Sequence, residues 1–208
     1  IPAHEGFMFY SMFQWIERKN PKTLIQAYWE AFSGRKDVSL LLKTYRVNFT
    51  REEFDKIEED IRRWKKEVKL QHYPKILLIR RLLSRDEIMK VHQTGDCFVS
   101  ADHGEGWNRC LMEALQMGNT AISTARGGIH EYLTPDYYFP IPSTYIPVQE
   151  QSWIPFYTED QKWAEPDKEK LKEAMRYVFT NREIARSKGI MAKDYIKETF
   201  SFQKVGEQ

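Results

Sequence analysis

Short apolar runs of strand type alternate with stretches of helical periodicity from Phe7 to Thr124, and that alternation limits the possible folds more than any other feature. The strand-type runs are Phe7 to Phe13, Val38 to Leu42, Ile76 to Ile79, Asp96 to Ser100 and Thr120 to Thr124. Between the first two, Leu24, Ile25, Ala27, Tyr28, Ala31 and Phe32 recur at helical spacing and make one apolar face. Pro21 stands where a first helical turn tolerates proline. Thr50 with Glu53 predicts a capping box opening a charged helix that ends near Leu70, and Ser84 with Glu87 predicts another that stops at Gly95. A helix over Asn108 to Met117 and a short one after Gly127-Gly128 complete the series. Strands separated by helices imply parallel βαβ units with right-handed crossovers, hence a doubly wound, Rossmann-like α/β sheet with helices on both faces.

After Pro140 the pattern breaks. Residues 141–166 hold prolines and aromatics without period and are expected to form a long irregular loop or flap. Pro166 is expected to open a helix through Phe179, a second helix to run from Asn181 to Phe200, and Ser201 to Gln208 to fray. The 208 residues suit one domain, and 41% hydrophobic with 14% aromatic content is globular. A net charge of +2 gives no general pull toward nucleic acid or membrane. The basic stretch Arg62-Arg63-Trp64-Lys65-Lys66 follows Glu58-Glu59-Asp60 and reads as a solvated helix face. Cys97 and Cys110 lack metal or redox spacing and read as buried reduced thiols. The five histidines, His4, His72, His92, His103 and His130, show no metal-ligand spacing and are assigned surface or packing roles. No metal and no cofactor is expected, and no apolar run reaches the ~20 residues of a membrane span. The chain opens at Ile1 rather than Met, so the expectation is a fragment or processed product of a longer protein.

The run Asp96 to Ser100 leads through a Gly-containing loop into Glu105-Gly106-Trp107-Asn108-Arg109-Cys110-Leu111-Met112-Glu113. A strand, loop and helix in this order deliver groups to the carboxyl edge of a parallel sheet, where open α/β folds bind ligands. The first helical amides suit an anion such as phosphate. A carboxylate in the same place repels phosphate. An ionised Glu only accepts hydrogen bonds, so sugar hydroxyls are its natural partners. Amides for phosphate with carboxylates for hydroxyls describe a nucleotide-sugar site.

The spacing of Glu105 and Glu113, with seven residues between them and Gly106-Trp107 after the first, resembles the signature of the family 4 (group 1) glycosyltransferases, which have the GT-B fold. The likeness extends to Phe9–Thr44, Lys75–Leu83, Asp96–Gly118, Ala121–Leu133 and Trp163-Ala164-Glu165-Pro166-Asp167, which follow the order of that family's carboxyl-terminal, donor-binding domain. The resemblance implies a retaining, metal-independent transferase of hexosyl type that uses a nucleotide-diphosphate sugar donor. The acceptor glycan, lipid or protein would be held by an amino-terminal domain that does not occur in these residues. Alone, the chain would bind nucleotide and transfer sugar poorly or not at all. A cytoplasmic location is implied, with peripheral membrane association open for the full-length protein.

By the same resemblance, Glu113 takes the ribose hydroxyls and Glu105 approaches the transferred sugar. Gly104, Gly106, Trp107, Asn108 and Arg109 line the sugar and diphosphate, and Leu83 marks the backbone that holds the base. Arg18 and Lys19, after the first strand, neutralise the leaving diphosphate, and Lys43 at the end of the second strand faces the same cleft. Many relatives have Gly-Arg where this chain has Gln14-Trp15, so Arg18 stands in for that charge or the clamp is weaker. On the residues alone, the lesser readings are Glu113 as an exposed helical Glu paired with Arg109, and Arg18 with Lys19 as exposed loop cations. A GT-B nucleotide-sugar epimerase and a non-catalytic nucleotide-binding module remain the alternatives.

Overall fold

Along β1 (Phe7–Gln14) alternate side chains enter two separate cores, as the two-residue repeat of a strand requires. Phe7 and Phe9 join one, and Met8, Tyr10 and Met12 join the other. The same division holds in β2 (Val38–Tyr45), where Leu40 and Leu42 oppose Leu41, and in β4 (Cys97–Ser100), where Cys97 and Val99 oppose Phe98. A sheet apolar on both faces must be covered on both. In this computed structural model, which describes residues 6–148, 157–158 and 160–206, helices do so.

Helices α1 (Pro21–Ala31), α2 (Arg51–Val68) and α5 (Lys168–Thr180) cover one face through Leu24, Ile25, Tyr28, Phe54, Ile57, Leu171 and Met175. Helices α3 (Arg85–Thr94), α4 (Arg109–Gln116) and α6 (Arg182–Thr199) cover the other through Val91, Leu111, Leu115, Ala192 and Ile196. With β3 (Lys75–Ile79), β5 (Thr120–Thr124) and β6 (Phe139–Ile141), the strands are all parallel in the order β3-β2-β1-β4-β5-β6. The doubly wound α/β expectation is met. The winding reverses between β1 and β4, and the carboxyl ends of these two strands open the crevice in which such sheets bind ligands.

Several local expectations need correction. The segment 141–166 is not irregular throughout. Its ends form a two-stranded antiparallel ribbon, β7 (Ser143–Pro147) with β8 (Lys162–Pro166), while 149–156 and 159 lie outside the described residues. Pro147 and Pro166 sit at strand ends, where a missing N–H costs no ladder bond. Pro166 therefore closes a strand rather than opening a helix, and Asp167 caps α5 by accepting from the Lys170 amide at 3.0 Å. Ser84 and Glu87 form the full capping box at α3. At α2 only half forms: Thr50 accepts from the Glu53 amide at 3.4 Å, but the Glu53 carboxylate takes the Val47 amide at 3.0 Å instead. Residues Phe202–Gly206 make one further helical stretch, α7, before the last two residues, which are not described. Cys97 is buried as expected, whereas Cys110 is partly exposed, and both are free thiols. Among the described residues no helix is long and apolar enough to cross a membrane.

Candidate functional site at the carboxyl edge of the sheet

Glu105 is the point on which the two loops of the crevice converge. After β1 the chain makes a short 3-10 turn over Glu17–Lys19, which ends on Asn20 in the left-handed region at φ 48°. Asn side chains tolerate that conformation, and Asn20 also caps α1 by accepting from the Thr23 amide at 3.2 Å. The turn carries Arg18 and Lys19 across to the loop after β4. There Arg18 Nη1 donates to Glu105 Oε1 and to the Gly104 carbonyl, both at 2.6 Å, and Lys19 Nζ reaches the same Glu105 oxygen. The His103 amide donates to the Arg18 carbonyl at 2.8 Å, so main chain and side chains join the two loops. Side-chain exposure is 13% for Glu105, 30% for Arg18 and 19% for Lys19. Partial exclusion of water strengthens such an ion pair relative to a surface one.

Asn108 turns the loop into the helix. It adopts φ 53°, accepts from the Leu111 amide at 3.2 Å as the cap of α4, and donates to the Ser100 hydroxyl at 3.2 Å. Ser100 bonds in turn to Asp102, which is 3% exposed. Burial pushes the Asp102 carboxyl up. The Ser100 hydroxyl opposes that shift, as do Lys19 and Arg18, while Glu105 adds to it. Asn108→Ala removes the cap and leaves on the left-handed backbone a residue without the polar side chain that makes Asn tolerant of it. It is expected to lower stability by about 2 kcal/mol, and Asn108→Gly by a smaller amount, in urea unfolding.

Glu113 lies one helical stretch further on, with a side chain 13% exposed. Its Oε1 accepts from Arg85 Nη1 at 2.5 Å, Arg109 Nη2 stands 4.0 Å away, and its Oε2 faces His92 Nε2 at 3.6 Å. Burial chiefly raises the Cys110 thiol, and the charges of Glu113 and Glu105 add to the shift while Lys19 opposes it. Arg85 opens α3 beyond the carboxyl end of β3, so its bond to Glu113 sets this acid at the same edge of the sheet as the Glu105 loop.

The remaining expected residues divide. Leu83 is 8% exposed and lines a cleft of about 420 Å³ with Leu78, Ile79, Arg81 and Glu87 beyond the end of β3. Trp107 packs on one side and stays exposed on the other: its ring stacks on Tyr132 at 4.4 Å and meets Phe200 edge-on, while its carbonyl accepts from the Tyr132 hydroxyl at 2.7 Å. Arg109 is 85% exposed. Lys43 is half-buried, and its ammonium lies over the rings of Tyr45 and Phe49 at 4.9 and 4.7 Å. Burial lowers its pKa. Gln14 and Trp15 turn away from the crevice. The Gln14 amide donates to the Arg46 carbonyl at 2.7 Å, and Trp15 stacks on Trp64 at 5.5 Å. No chain atom crowds a Cβ built at Gly104 or Gly106.

Sequence reasoning missed three contributors. His103, assigned a surface or packing role, is buried and bonds through Nε2 to Glu165 Oε2 at 2.6 Å, with Trp163 stacked on its ring at 4.8 Å. Glu165 also accepts from Thr23 Oγ1 at 3.1 Å and Asn20 Nδ2 at 3.3 Å. Burial opposes ionisation of Glu165, but these bonds outweigh it and hold its carboxyl below the ordinary range. Gly127-Gly128, which the sequence sets before a short helix, also buttresses the site. The Gly128 amide donates to the Glu105 carbonyl at 3.0 Å. The one available signal was position, since His103 precedes Gly104-Glu105 and Glu165 lies in the Trp163–Asp167 stretch. Among the described residues no three His, Cys, Asp or Glu side chains converge as metal ligands.

No protein-family profile matches this chain, and no curated protein sequence matches it. Solved structures do. The C-terminal domain of a glycosyl transferase group 1 family protein (LpcC) from Francisella tularensis superposes with a TM-score of 0.70 at 15% identity, over 96% of this chain and 89% of that one. Sucrose-phosphate synthase from Thermosynechococcus elongatus gives 0.70 at 16% identity, over all of this chain and 44% of that one. Anabaena HepE in complex with UDP and glucose gives 0.68 at 15% identity, over 98% and 48% respectively. This chain thus spans under half the length of the latter two. At such identities the likeness is one of fold: the chain shares the α/β architecture of carboxyl-terminal GT-B glycosyltransferase domains.

Proposed function

We propose that this domain binds a nucleotide-diphosphate sugar at the edge carrying Glu105 and Glu113. As the donor half of a retaining glycosyltransferase of family 4 type, it would support glycosyl transfer to an acceptor hydroxyl presented by an amino-terminal domain. The observation that carries the reading is the convergence of Arg18, Lys19 and Glu105 at the reversal point of the sheet. That convergence supports a role for the two cations at a leaving diphosphate and for the adjoining carboxylate at sugar hydroxyls. Fold likeness to HepE, solved with UDP and glucose, supports it.

In this reading the Arg18 guanidinium and Lys19 ammonium stabilise the negative charge that develops on the diphosphate as the glycosidic bond breaks. Glu105 orients the sugar, the start of α4 with Gly106, Trp107 and Asn108 supplies main-chain donors, and Glu113 accepts from both ribose hydroxyls. Leu83 and its cleft would receive the base. Calorimetric titration of UDP, GDP, ADP and inorganic diphosphate tests it. At least one nucleotide should bind, and Glu113→Ala should weaken that nucleotide about tenfold or more while changing inorganic diphosphate less than about twofold. Absence of nucleotide binding, or equal loss for both ligands, would sink the proposal.

A further inference from the structure

Behind Glu113 lies a buried polar chain that the site described so far does not use. Asn119, in the turn between α4 and β5, donates through Nδ2 to the Tyr10 hydroxyl and to the His92 carbonyl, both at 2.6 Å. The Tyr10 hydroxyl stands 2.9 Å from His92 Nδ1. Tyr10 and His92 are both 0% exposed. Gly95 makes room for this arrangement, since a Cβ there would stand 2.1 Å from the Tyr10 ring.

The order of donors fixes the state of the histidine. Asn119 supplies a proton to the Tyr10 oxygen, so Tyr10 points its own proton elsewhere, and the acceptor within reach is His92 Nδ1. Burial raises the Tyr10 pKa and keeps it a donor. Burial also lowers the His92 pKa, with Arg85 acting in the same sense and Glu113 in the opposite one. A neutral imidazole that accepts at Nδ1 must carry its proton on Nε2. That nitrogen is buried and makes no hydrogen bond among the described residues. It faces Glu113 Oε2 at 3.6 Å, just beyond bonding distance. A buried donor without a partner is costly, and one aimed at a carboxylate is poised to be satisfied by it.

We propose that His92, oriented by Tyr10 and Asn119, is the positioning residue for Glu113, holding Oε2 from inside so that the carboxylate presents its outer edge to the two ribose hydroxyls. The inference rests on the nucleotide-binding reading above. Division of labour between the two oxygens supports it. The partners of Oε1, Arg85 and Arg109, are 59% and 85% exposed, and such exposed pairs hold a carboxylate weakly. Oε1 can therefore exchange its arginine for a hydroxyl, while the inner oxygen is steadied by a group that solvent does not reach. A movement of well under 1 Å by either side chain closes the gap to a normal hydrogen bond.

Two measurements on the full chain test this. The first is the 15N pattern of the wild-type His92 ring by long-range NMR correlation. A neutral ring protonated on Nε2 is expected, with the Nε2 signal shifting when nucleoside diphosphate is added and not when inorganic diphosphate is added. A ring protonated on Nδ1, or one indifferent to nucleotide, overturns the inference. The second is titration of the nucleotide that binds best among UDP, GDP and ADP. His92→Met removes the donor and should weaken it about tenfold, with inorganic diphosphate unchanged within about twofold. His92→Gln, which returns an N–H near the Nε2 position, should recover most of the loss. Equal losses for Met and Gln would indicate packing alone and overturn the inference. If the wild type binds none of the three nucleotides, the functional reading and this inference fall together. If it binds, and Glu113→Ala weakens it while His92→Met does not, only the inference falls.

Discussion

Gly128→Ala is expected to destabilise the domain by about 3 kcal/mol or to expel the Glu105 loop from its place, whereas Gly106→Ala should change stability by no more than about 0.5 kcal/mol. The contrast comes from where the main chains touch. A Cβ at Gly128 would stand 1.6 Å from the Gly106 carbonyl oxygen, and one at Gly127 would stand 2.3 Å from the Glu105 oxygen. Both obstacles are backbone, so no side chain can swing aside. Gly127 adds a φ of 78°, which disfavours any Cβ. The Gly128 amide bond to the Glu105 carbonyl would be lost with the displacement. At Gly106 a Cβ meets nothing within 4 Å, so alanine there tests ligand approach rather than folding. Urea unfolding of the two variants gives the stabilities. A Gly128→Ala protein as stable as wild type, with Arg18 and Glu105 still joined, would refute the packing account.

The same pair of glycines shows where sequence reasoning stops. A strand such as β1 is legible because both of its faces are buried and it reads as an unbroken apolar run. β6 escapes because Phe139-Pro140-Ile141 is short and carries a proline, which the outer position of that strand tolerates. β7 and β8 escape because a long connection rather than a tight turn separates the paired strands: Pro147 opposes Lys162 and Ser143 opposes Pro166. In the site, the Glu105 to Glu113 spacing is local and visible. The cross-links are not. His103 meets Glu165 across 62 positions, and Glu165 reaches back 142 positions to Thr23. Only the folded ribbon brings them together, with the Ala164 amide on the His103 carbonyl at 3.0 Å. The Gln14-Trp15 departure has a comparable answer. Trp15 is needed in the stack with Trp64, and its indole donates to Asp60 at 2.9 Å, so the crevice cations come from positions 18 and 19.

Those two cations carry the other large expected effect. Replacing Arg18 and Lys19 together by alanine should weaken nucleoside diphosphate binding about 100-fold, while Glu105→Gln should strengthen inorganic diphosphate about threefold or more. Each charge-assisted bond to phosphate contributes roughly 1.5–3 kcal/mol. Partial solvent exposure of both side chains discounts the pair to about 2.7 kcal/mol, which corresponds to the 100-fold figure. Glu105 works in the opposite sense for a bare anion. Its Oε1 engages both cations, so a diphosphate must share them with a carboxylate that also repels it. The amide in Glu105→Gln keeps the shape and the main-chain bond to Gly128 but removes that repulsion. For a sugar nucleotide the sign should reverse, because the lost carboxylate was the acceptor for sugar hydroxyls. The change should also be larger at low ionic strength, where screening of these partly exposed charges is weakest. Titrations of inorganic diphosphate and of a nucleotide-sugar against the two variants separate the terms. Unchanged binding in the double-alanine chain would remove the diphosphate from this crevice. Weaker diphosphate binding by Glu105→Gln would show that Glu105 organises the cations rather than competing for them.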